Sequence, residues 1–286
     1  MVDLKAFIEV IKPKQTTLLM VTCVITYLVG ARCSIDPVHF LISSFSVFLA
    51  VAGTTALNMW LDKDIDAVME RTKFRPLPTG RLSEKVCAVY GLSLFSIGFI
   101  LGFIKINALF SFILALGLFF DIIIYTVLLK RRSSYSIVLG GFAGAMPALA
   151  GWVASTGTIG LPGLIMAAIV LLWIPAHIWY LTMYFEDDYR IAGIPMLPLI
   201  IGMERTSWII VGSTSVMLLL TTALYLVYSF TAIYLMSIGF MAYFLYKTVL
   251  FAKKPSRIKA KRMYKLASWT LAGVFISALL GSMRLT

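Results

Sequence analysis

Long apolar stretches separated by short polar segments run along almost the whole chain. Nine of them fall at 16–31, 38–60, 86–104, 107–129, 136–155, 161–183, 207–228, 230–251 and 267–283. A helix that crosses a bilayer needs about 20 apolar residues, and the backbone polar groups of such a segment must be satisfied within it. Strands of a membrane β-barrel are shorter, at about 10 residues, and alternate in polarity. The pattern therefore predicts an all-α polytopic membrane protein with nine transmembrane helices, which form one domain over residues 1–286.

A short amphipathic segment precedes the first apolar stretch. Over residues 2–11, the side chains of Leu4, Phe7, Ile8 and Ile11 share one helical face. The segment is too short to cross the membrane, so residues 1–14 are predicted to form an interfacial helix that lies on it. Neither a cleavable signal peptide nor an Arg/Ser-rich transit peptide is recognised, which favours a prokaryotic plasma membrane.

Composition and charge support this interpretation and give it an orientation. Apolar residues make up 60% of the chain and charged residues 13%, which is too little charge to cover a soluble surface. Of the 25 Lys and Arg residues, all but Arg32, Lys105 and Arg284 fall in alternate connecting segments or at the N-terminus. The positive-inside rule makes that side cytoplasmic and places the C-terminus outside. The net charge of +12 then indicates that the chain faces anionic lipid or an anionic substrate, and not nucleic acid.

The first acidic segment, residues 58–71, follows directly from an apolar stretch. Asn58, Asp62 and Asp66 are four residues apart, so they stack on one helical face. Two carboxylates and a carboxamide offer only oxygen ligands, which suit Mg²⁺ when it also binds substrate phosphate. The alternative is a solvated helix end, in which the acids pair with the neighbouring cations Lys63, Arg71 and Lys73. The metal site is favoured, because like charges one turn apart repel unless a cation joins them.

The second acidic segment, residues 184–195, carries Glu186, Asp187 and Asp188 side by side. Three adjacent acids cannot share one helical face, so the chain is expected to turn near Gly193 and Pro195. Taken alone, the segment is typical of a polar loop. Opposite the first acidic segment it becomes the second half of a two-metal diphosphate clamp, with Asp187 and Asp188 as metal ligands. The two segments follow the second and sixth predicted helices, which indicates a weak internal duplication.

Basic residues near the two acidic segments complete the predicted diphosphate site. A diphosphate leaving group needs metal-binding acids together with cations that bind phosphate oxygens directly. The predicted diphosphate ligands are Asn58 and four cations, namely Arg71, Arg75, Lys130 and Arg131. Tyr125, close to Lys130, is a candidate to hydrogen-bond the departing oxygen. The predicted catalytic residues are Asp62, Asp66, Tyr125, Lys130 and Asp188. For the Lys130–Arg132 run, the alternative is a positive-inside anchor.

Two further ionisable residues lie inside predicted helices. An aspartate near the membrane interior costs about 2.5–3.5 kcal/mol, so Asp121 should face the helix bundle. It would contact either another helix or the active cavity. His177, with Trp179 beside it, is a candidate partner of an aromatic macrocycle; a proton shuttle and a buried core histidine are the alternatives. Three glycines of one helix are interpreted as sites of close helix packing: Gly140, Gly141 and Gly144.

Several of these stretches resemble the UbiA-type intramembrane prenyltransferases, and among them the branch that prenylates heme. The similarity lies in residues 58–81, in Tyr125-Thr126 with 129–131, and in 140–152, 175–179 and 187–198. It implies nine helices around a central lipid-open cavity, with both acidic motifs binding Mg²⁺ and diphosphate at the cytoplasmic mouth. It also implies farnesyl diphosphate as donor and heme B as acceptor, joined at a heme vinyl group with addition of water. The individual metal ligands of the second acidic segment stay open.

Two rival functions were weighed against this one. A prenyltransferase for a quinone precursor such as 4-hydroxybenzoate would share the clamp, and only the resemblance around Pro147, Trp152 and His177 argues against it. A cation-coupled secondary transporter would carry ionisable residues near the midplane of several helices. Here Asp121 and His177 are the main candidates, while the other acids crowd one interface, which disfavours a transporter.

Overall fold

The computed structural model describes residues 3–32 and 34–283, and within these ranges all regular structure is helical. The all-α prediction is therefore confirmed. In chain order the helices are α1 (Leu4–Val10), α2 (Pro13–Gly30), α3 (Pro37–Leu61), α4 (Lys63–Val68), α5 (Glu84–Lys105), α6 (Ala108–Leu118), α7 (Ser136–Thr156), α8 (Leu161–Tyr184), α9 (Glu186–Ile191), α10 (Leu197–Ile201), α11 (Met203–Val227), α12 (Leu235–Lys253) and α13 (Arg257–Ser282). α6 continues directly as a π-helix, Phe119–Leu129, and a 3₁₀ turn, Ala232–Tyr234, precedes α12. Arg284, predicted on the outer side, lies outside the described residues.

Eight helices of the described ranges are long and apolar enough to cross a membrane, where the sequence predicted nine. The one predicted span that is not among them is α2. Its 18 residues include Lys14, Gln15 and Thr16 in the first turn, which leaves too short an apolar stretch. α2 nevertheless packs along α7 within the bundle.

The observed ends of the other spans lie close to the predicted ones, except at the start of α13. This helix begins at Arg257, well before the predicted residue 267, and Ser256 caps it by accepting a hydrogen bond from the Lys259 N–H at 3.4 Å. Hydropathy detects where a helix enters the membrane. It does not detect the basic turns that continue the same helix into water.

α7 lies at the centre of the bundle and packs against α2, α6, the π-helix and α8. Its glycines allow this close approach, as predicted. A Cβ added to Gly141 would lie 3.1 Å from Leu171, and one added to Gly144 would lie 2.5 Å from Ile174, both on α8. α8 in turn packs against α11 and α13, while α3 packs along α5.

The two ends of the bundle differ in character. At one end, the backbone N–H of Arg71 donates to Asp188 Oδ2 at 3.1 Å, which joins the first acidic segment to the second. At the opposite end, the Tyr228 hydroxyl donates to the Val29 carbonyl at 2.6 Å. We call the end that holds both acidic segments the polar end. The prediction that the two segments lie at one end is confirmed.

α1 packs against the polar end of α3. Asp3 caps it by accepting from the Ala6 N–H at 3.2 Å, and Ala6 and Val10 are fully buried. The four apolar residues predicted to share one face are not all buried, because Leu4 and Ile8 point outward and are exposed. The interfacial position of α1 on a membrane stays a prediction.

Candidate active site

The first acidic segment is buried at the junction of α3 and α4. The Asp62 N–H donates to the Asn58 carbonyl at 3.0 Å, and the Asp66 N–H donates to the Asp62 carbonyl at 2.8 Å. The helical register therefore continues through the junction, and the three side chains stack one turn apart as predicted. Each of these side chains is no more than 6% exposed. The solvated helix end considered above does not form here.

Each member of this stack contacts a cation from elsewhere in the chain. Lys12 Nζ donates to Asn58 Oδ1 at 2.6 Å. Lys130 Nζ donates to Asp62 Oδ2 at 2.5 Å. Arg75 Nη1 lies 2.7 Å from both carboxylate oxygens of Asp66. These short, charge-assisted contacts fix the acids and leave cationic groups at the same place.

Lys12 is the member of this set that the sequence analysis missed. It precedes the first turn of α2 with φ at 46°, a left-handed conformation that is uncommon outside glycine. Burial, and then the charge of Arg75, lower the pKa of Lys12 to about 8, against the opposing effect of Asp62 and Asp66. The buried ammonium group is thus held where an additional anion would stabilise it.

The π-helix positions the next group of polar residues. Its wider turn lets the Lys130 N–H donate to the Tyr125 carbonyl at 2.7 Å. The Thr126 hydroxyl donates to the Asp121 carbonyl at 2.7 Å and accepts from Asn58 Nδ2 at 2.8 Å. The π-helix and the acidic stack are therefore held in register by one hydrogen-bonded chain. π-helical segments occur frequently at functional sites.

The Tyr125 side chain packs against Gly140, where any larger residue would displace the tyrosine ring. A Cβ added to Gly140 would lie 2.7–2.9 Å from the Tyr125 side chain. The tyrosine ring therefore packs directly on the backbone of α7, and Lys130 Nζ lies 5.5 Å from its centroid. Gly140 thus has a more specific role than the general helix packing that we predicted.

The second acidic segment is a short helix, α9, followed by a turn at Gly193 with φ at +64°. The predicted turn is confirmed. Asp188 is buried and faces the first segment. Asp187 faces outward, with its side chain 72% exposed and paired with Arg257 at 2.9 Å. Only one of the two predicted metal ligands of this segment therefore faces the site.

A cavity of about 1050 Å³ extends from the acidic stack into the bundle. Of the predicted site residues, it is lined by Asn58, Asp62, Asp66, Arg71, Arg75, Tyr125, Lys130 and His177. Asp121 also lines it, as expected for an aspartate that faces the bundle. Typical small-molecule sites occupy about 300–1,000 Å³, so this volume admits more than one ligand of ordinary size.

An aromatic wall lies along the cavity, around His177. The imidazole is held between the rings of Trp173 and Tyr264, with centroids 4.3 Å and 4.4 Å away. Its Nδ1 lies 3.3 Å from the Ser268 hydroxyl. We define Trp173, His177 and Tyr264 as the aromatic wall. Flat π surfaces of this kind suit a planar conjugated ligand.

Comparison with known proteins identifies the family. The sequence profile described as the UbiA prenyltransferase family matches residues 19–272. The chain belongs to the UbiA prenyltransferase family. One relative is a protein named protoheme IX farnesyltransferase from Archaeoglobus fulgidus, 57% identical over 282 residues, which cover 98% of this chain and 99% of that protein.

Several solved structures share this fold. A digeranylgeranylglyceryl phosphate synthase matches with a TM-score of 0.83 at 22% identity, over 100% of both chains. A UbiA homolog from Archaeoglobus fulgidus, bound to DMAPP and Mg²⁺, matches with a TM-score of 0.71 at 14% identity, over 95% of this chain and 98% of that one. With the apolar helices described above, family membership shows that this chain is a polytopic membrane protein and a prenyltransferase.

Some predicted site residues do not line the cavity, among them Asp187 and Asp188 of the second acidic segment. Arg131 forms an exposed pair with Asp64 at 2.6 Å, in which the Arg131 hydrogen bond lowers the pKa of the Asp64 carboxyl. Trp179 is 1% exposed in the core and does not line the cavity. The heme contact predicted for Trp179 therefore has no support in its placement, in contrast to that of His177.

Thr126, Tyr264 and Ser268 are further residues of the site that the sequence patterns did not predict. Thr126 follows Tyr125 directly and carries no separate signal. Tyr264 and Ser268 belong to α13, for which the sequence predicts only an apolar span. Their spacing of four residues places them on one helical face and was the available signal.

The oxygen donors at the polar end fit Mg²⁺. Asp62 Oδ1 is buried and has no hydrogen-bond partner in the part of the chain that the structure describes, although the other oxygen of the same carboxylate bonds to Lys130. In the described ranges, no three His, Cys, Asp or Glu side chains gather closely enough to enclose a metal ion. Mg²⁺ commonly binds through one or two carboxylates plus substrate phosphates and water, and the arrangement agrees with that mode.

Proposed function

We propose that this protein transfers the farnesyl group of farnesyl diphosphate to a vinyl group of protoheme IX (heme B), with addition of water, to give heme O. The observation that carries the proposal is the single cavity that joins the charged stack to the aromatic wall. One end suits an anionic leaving group and the other a planar macrocycle. The full-length similarity to a protein named protoheme IX farnesyltransferase supports the choice of heme over 4-hydroxybenzoate as acceptor.

The cations at the polar end bind the diphosphate. Arg75 and Lys130 already face Asp66 and Asp62, so phosphate oxygens that enter between them meet preformed donors. Arg71 and Lys12 also line the cavity and add positive charge there. Together these side chains stabilise the negative charge that grows as the allylic C–O bond breaks.

Mg²⁺ would be held by the stack of Asn58, Asp62 and Asp66 together with Asp188, which faces that stack from the second acidic segment. When bound there, Mg²⁺ would supply positive charge to the diphosphate oxygens and so favour departure of the leaving group. Asp187 is not needed for this role, because it is paired with Arg257 at the surface. Tyr125, which lines the cavity next to Lys130, is positioned to donate its hydroxyl proton in a hydrogen bond to the departing oxygen.

The acceptor lies against the aromatic wall. Breaking the C–O bond leaves an allylic cation at the first farnesyl carbon, which the cavity shields from bulk water. The terminal carbon of the heme vinyl group forms a bond to this carbon. Water then bonds to the inner vinyl carbon and loses a proton, which leaves a hydroxyethylfarnesyl side chain and free diphosphate. His177 contacts the macrocycle and orients it.

The same proposal gives the protein an orientation in the plasma membrane. α2 is the ninth span, since it packs within the bundle although its first turn is polar. The polar end, with most of the basic side chains, faces the cytoplasm. The apolar outer faces contact lipid, and burial of the farnesyl tail adds about 0.8 kcal/mol per CH₂.

The test is to incubate the purified protein with heme B, farnesyl diphosphate and Mg²⁺, and to identify the product by mass spectrometry. The expected product is heme B plus one farnesyl group and one hydroxyl group, and its formation should stop with EDTA and resume with added Mg²⁺. A parallel reaction offers 4-hydroxybenzoate. Farnesylated 4-hydroxybenzoate without any heme product would contradict the proposed function.

A further inference from the structure

A smaller pocket opens beside the cavity at the polar end, between the end of α8 and the start of α13. We call it the side pocket; its volume is about 300 Å³. It shares Arg71, Leu181 and Tyr264 with the main cavity, so the two spaces are adjacent. Three of its seven lining residues are cations, namely Arg71, Lys261 and Lys265, and none is acidic.

One face of α13 connects the side pocket to the aromatic wall. Lys261, Tyr264, Lys265 and Ser268 follow the three- and four-residue spacing that aligns side chains along a helix. Tyr264 and Ser268 contact His177 in the cavity. Lys261 lies about one turn closer to the polar end than Tyr264, and Lys265 lies about one turn closer than Ser268. A ligand against the aromatic wall therefore meets ammonium groups at its edge nearest to water.

The cations of the side pocket have no carboxylate partner among the described residues, unlike Lys130 and Arg75. Lys261 Nζ contacts the Tyr184 hydroxyl at 3.0 Å. The guanidinium group of Arg71 lies 5.5 Å from the ring centroid of Phe185. No salt bridge of Arg71, Lys261 or Lys265 is found in residues 3–32 and 34–283. Their charge is therefore available to an anionic ligand.

We propose that the side pocket binds the carboxylate edge of the acceptor, which is the pair of propionate groups in protoheme IX. This inference rests on the proposed function. Carboxylates are costly to bury without partners, so an acceptor whose flat body enters the cavity must keep its carboxylates near cations or water. The side pocket offers cations and access to water, at the end of the aromatic wall. Holding that edge leaves the vinyl-bearing part of the macrocycle inside the cavity.

The test compares heme B with its neutral dimethyl ester in absorbance titrations of the whole protein in detergent. The variant is Lys261→Gln with Lys265→Gln. Its matched control, Lys259→Gln with Arg262→Gln, removes two charges from the same turns of α13 at positions that do not line the pocket. Wild type and control should bind heme B about tenfold more tightly than the diester, as expected for charge-assisted contacts near water.

In Lys261→Gln/Lys265→Gln this preference should be lost, while the Kd for the diester and the KM for farnesyl diphosphate stay unchanged. Unchanged diester binding also shows that the variant is folded. A preference for heme B that persists in the double variant, with normal heme turnover, would overturn the side-pocket assignment and leave the proposed function intact. Absence of heme turnover in wild type would overturn the proposed function and this inference with it.

A lipid headgroup offers the same anionic oxygens, so the titration is repeated in nanodiscs with and without anionic lipid. If the side pocket binds the acceptor, wild type should keep its preference for heme B in nanodiscs with and without anionic lipid. A preference that disappears when anionic lipid is present would show that the side pocket holds headgroups, and would overturn the proposal.

Discussion

The two acidic segments of this protein each follow a long apolar helix and differ in how the fold places their side chains. In the first, Asn58, Asp62 and Asp66 are all buried, and each contacts a cation, from a distant part of the chain for Asn58 and Asp62 and from the next loop for Asp66. In the second, Asp188 alone turns inward, while its neighbours form ion pairs at the surface. A carboxylate contributes to a site when the fold buries it beside partners from other elements. A local run of acids does not ensure this.

The largest effect should come from the centre of the first segment. Asp62→Asn removes the charge that faces Lys130 and the oxygen that is free for a metal ion. The rate of heme farnesylation should fall by about 100-fold or more, as when one oriented charge-stabilising group is lost. Asp64→Asn is the matched control; its exposed pair with Arg131 contributes little, so the rate should stay within about twofold. Equal rates in the two variants would remove the distinction between buried and exposed acids.

A smaller effect should separate the two aspartates of the second segment. Asp188→Asn weakens the link to the Arg71 N–H and removes a charge that faces the site. Farnesylation should slow by about tenfold, the scale of one hydrogen bond to a charged group. Asp187→Asn, in the next position, should leave the rate almost unchanged, because the side chain is 72% exposed. A larger loss in Asp187→Asn than in Asp188→Asn would reverse our assignment.

The smallest effect should come from the surface pairs of the second segment. Arg257→Ala removes the partner of Asp187 and one of two partners of Glu186, which keeps Arg190, and exposed ion pairs contribute at most about 1 kcal/mol to stability. The midpoint of thermal unfolding in detergent and the farnesylation rate should both change little. A large loss of activity with an unchanged midpoint would show that these pairs help to build the site.

Local patterns in the sequence predicted most of the bundle and the charged half of the site. The spans follow from runs of apolar residues, and the stack of Asn58, Asp62 and Asp66 follows from their four-residue spacing. The same patterns could not reveal contacts between distant positions. Lys12 meets Asn58 across 46 residues, and Ser268 meets His177 across 91.

Two other features escaped prediction for physical reasons. The π-helix carries the same apolar side chains as an α-helix, so hydropathy cannot distinguish its wider turn. The duplication of the acidic segments implied two equivalent halves. The fold instead buries Asn58, Asp62 and Asp66 of the first segment but only Asp188 among the three acids of the second.

The central claim is that both acidic segments act on one diphosphate at the polar end of the cavity. It is tested most directly by a structure of the protein with Mg²⁺ and an unreactive thio analogue of farnesyl diphosphate. We predict that the diphosphate lies between Asp62 and Asp188, with phosphate oxygens in contact with Arg75 and Lys130 and the farnesyl chain inside the cavity. A diphosphate bound elsewhere, with the Lys130–Asp62 and Arg75–Asp66 contacts closed and no metal beside them, would contradict the account.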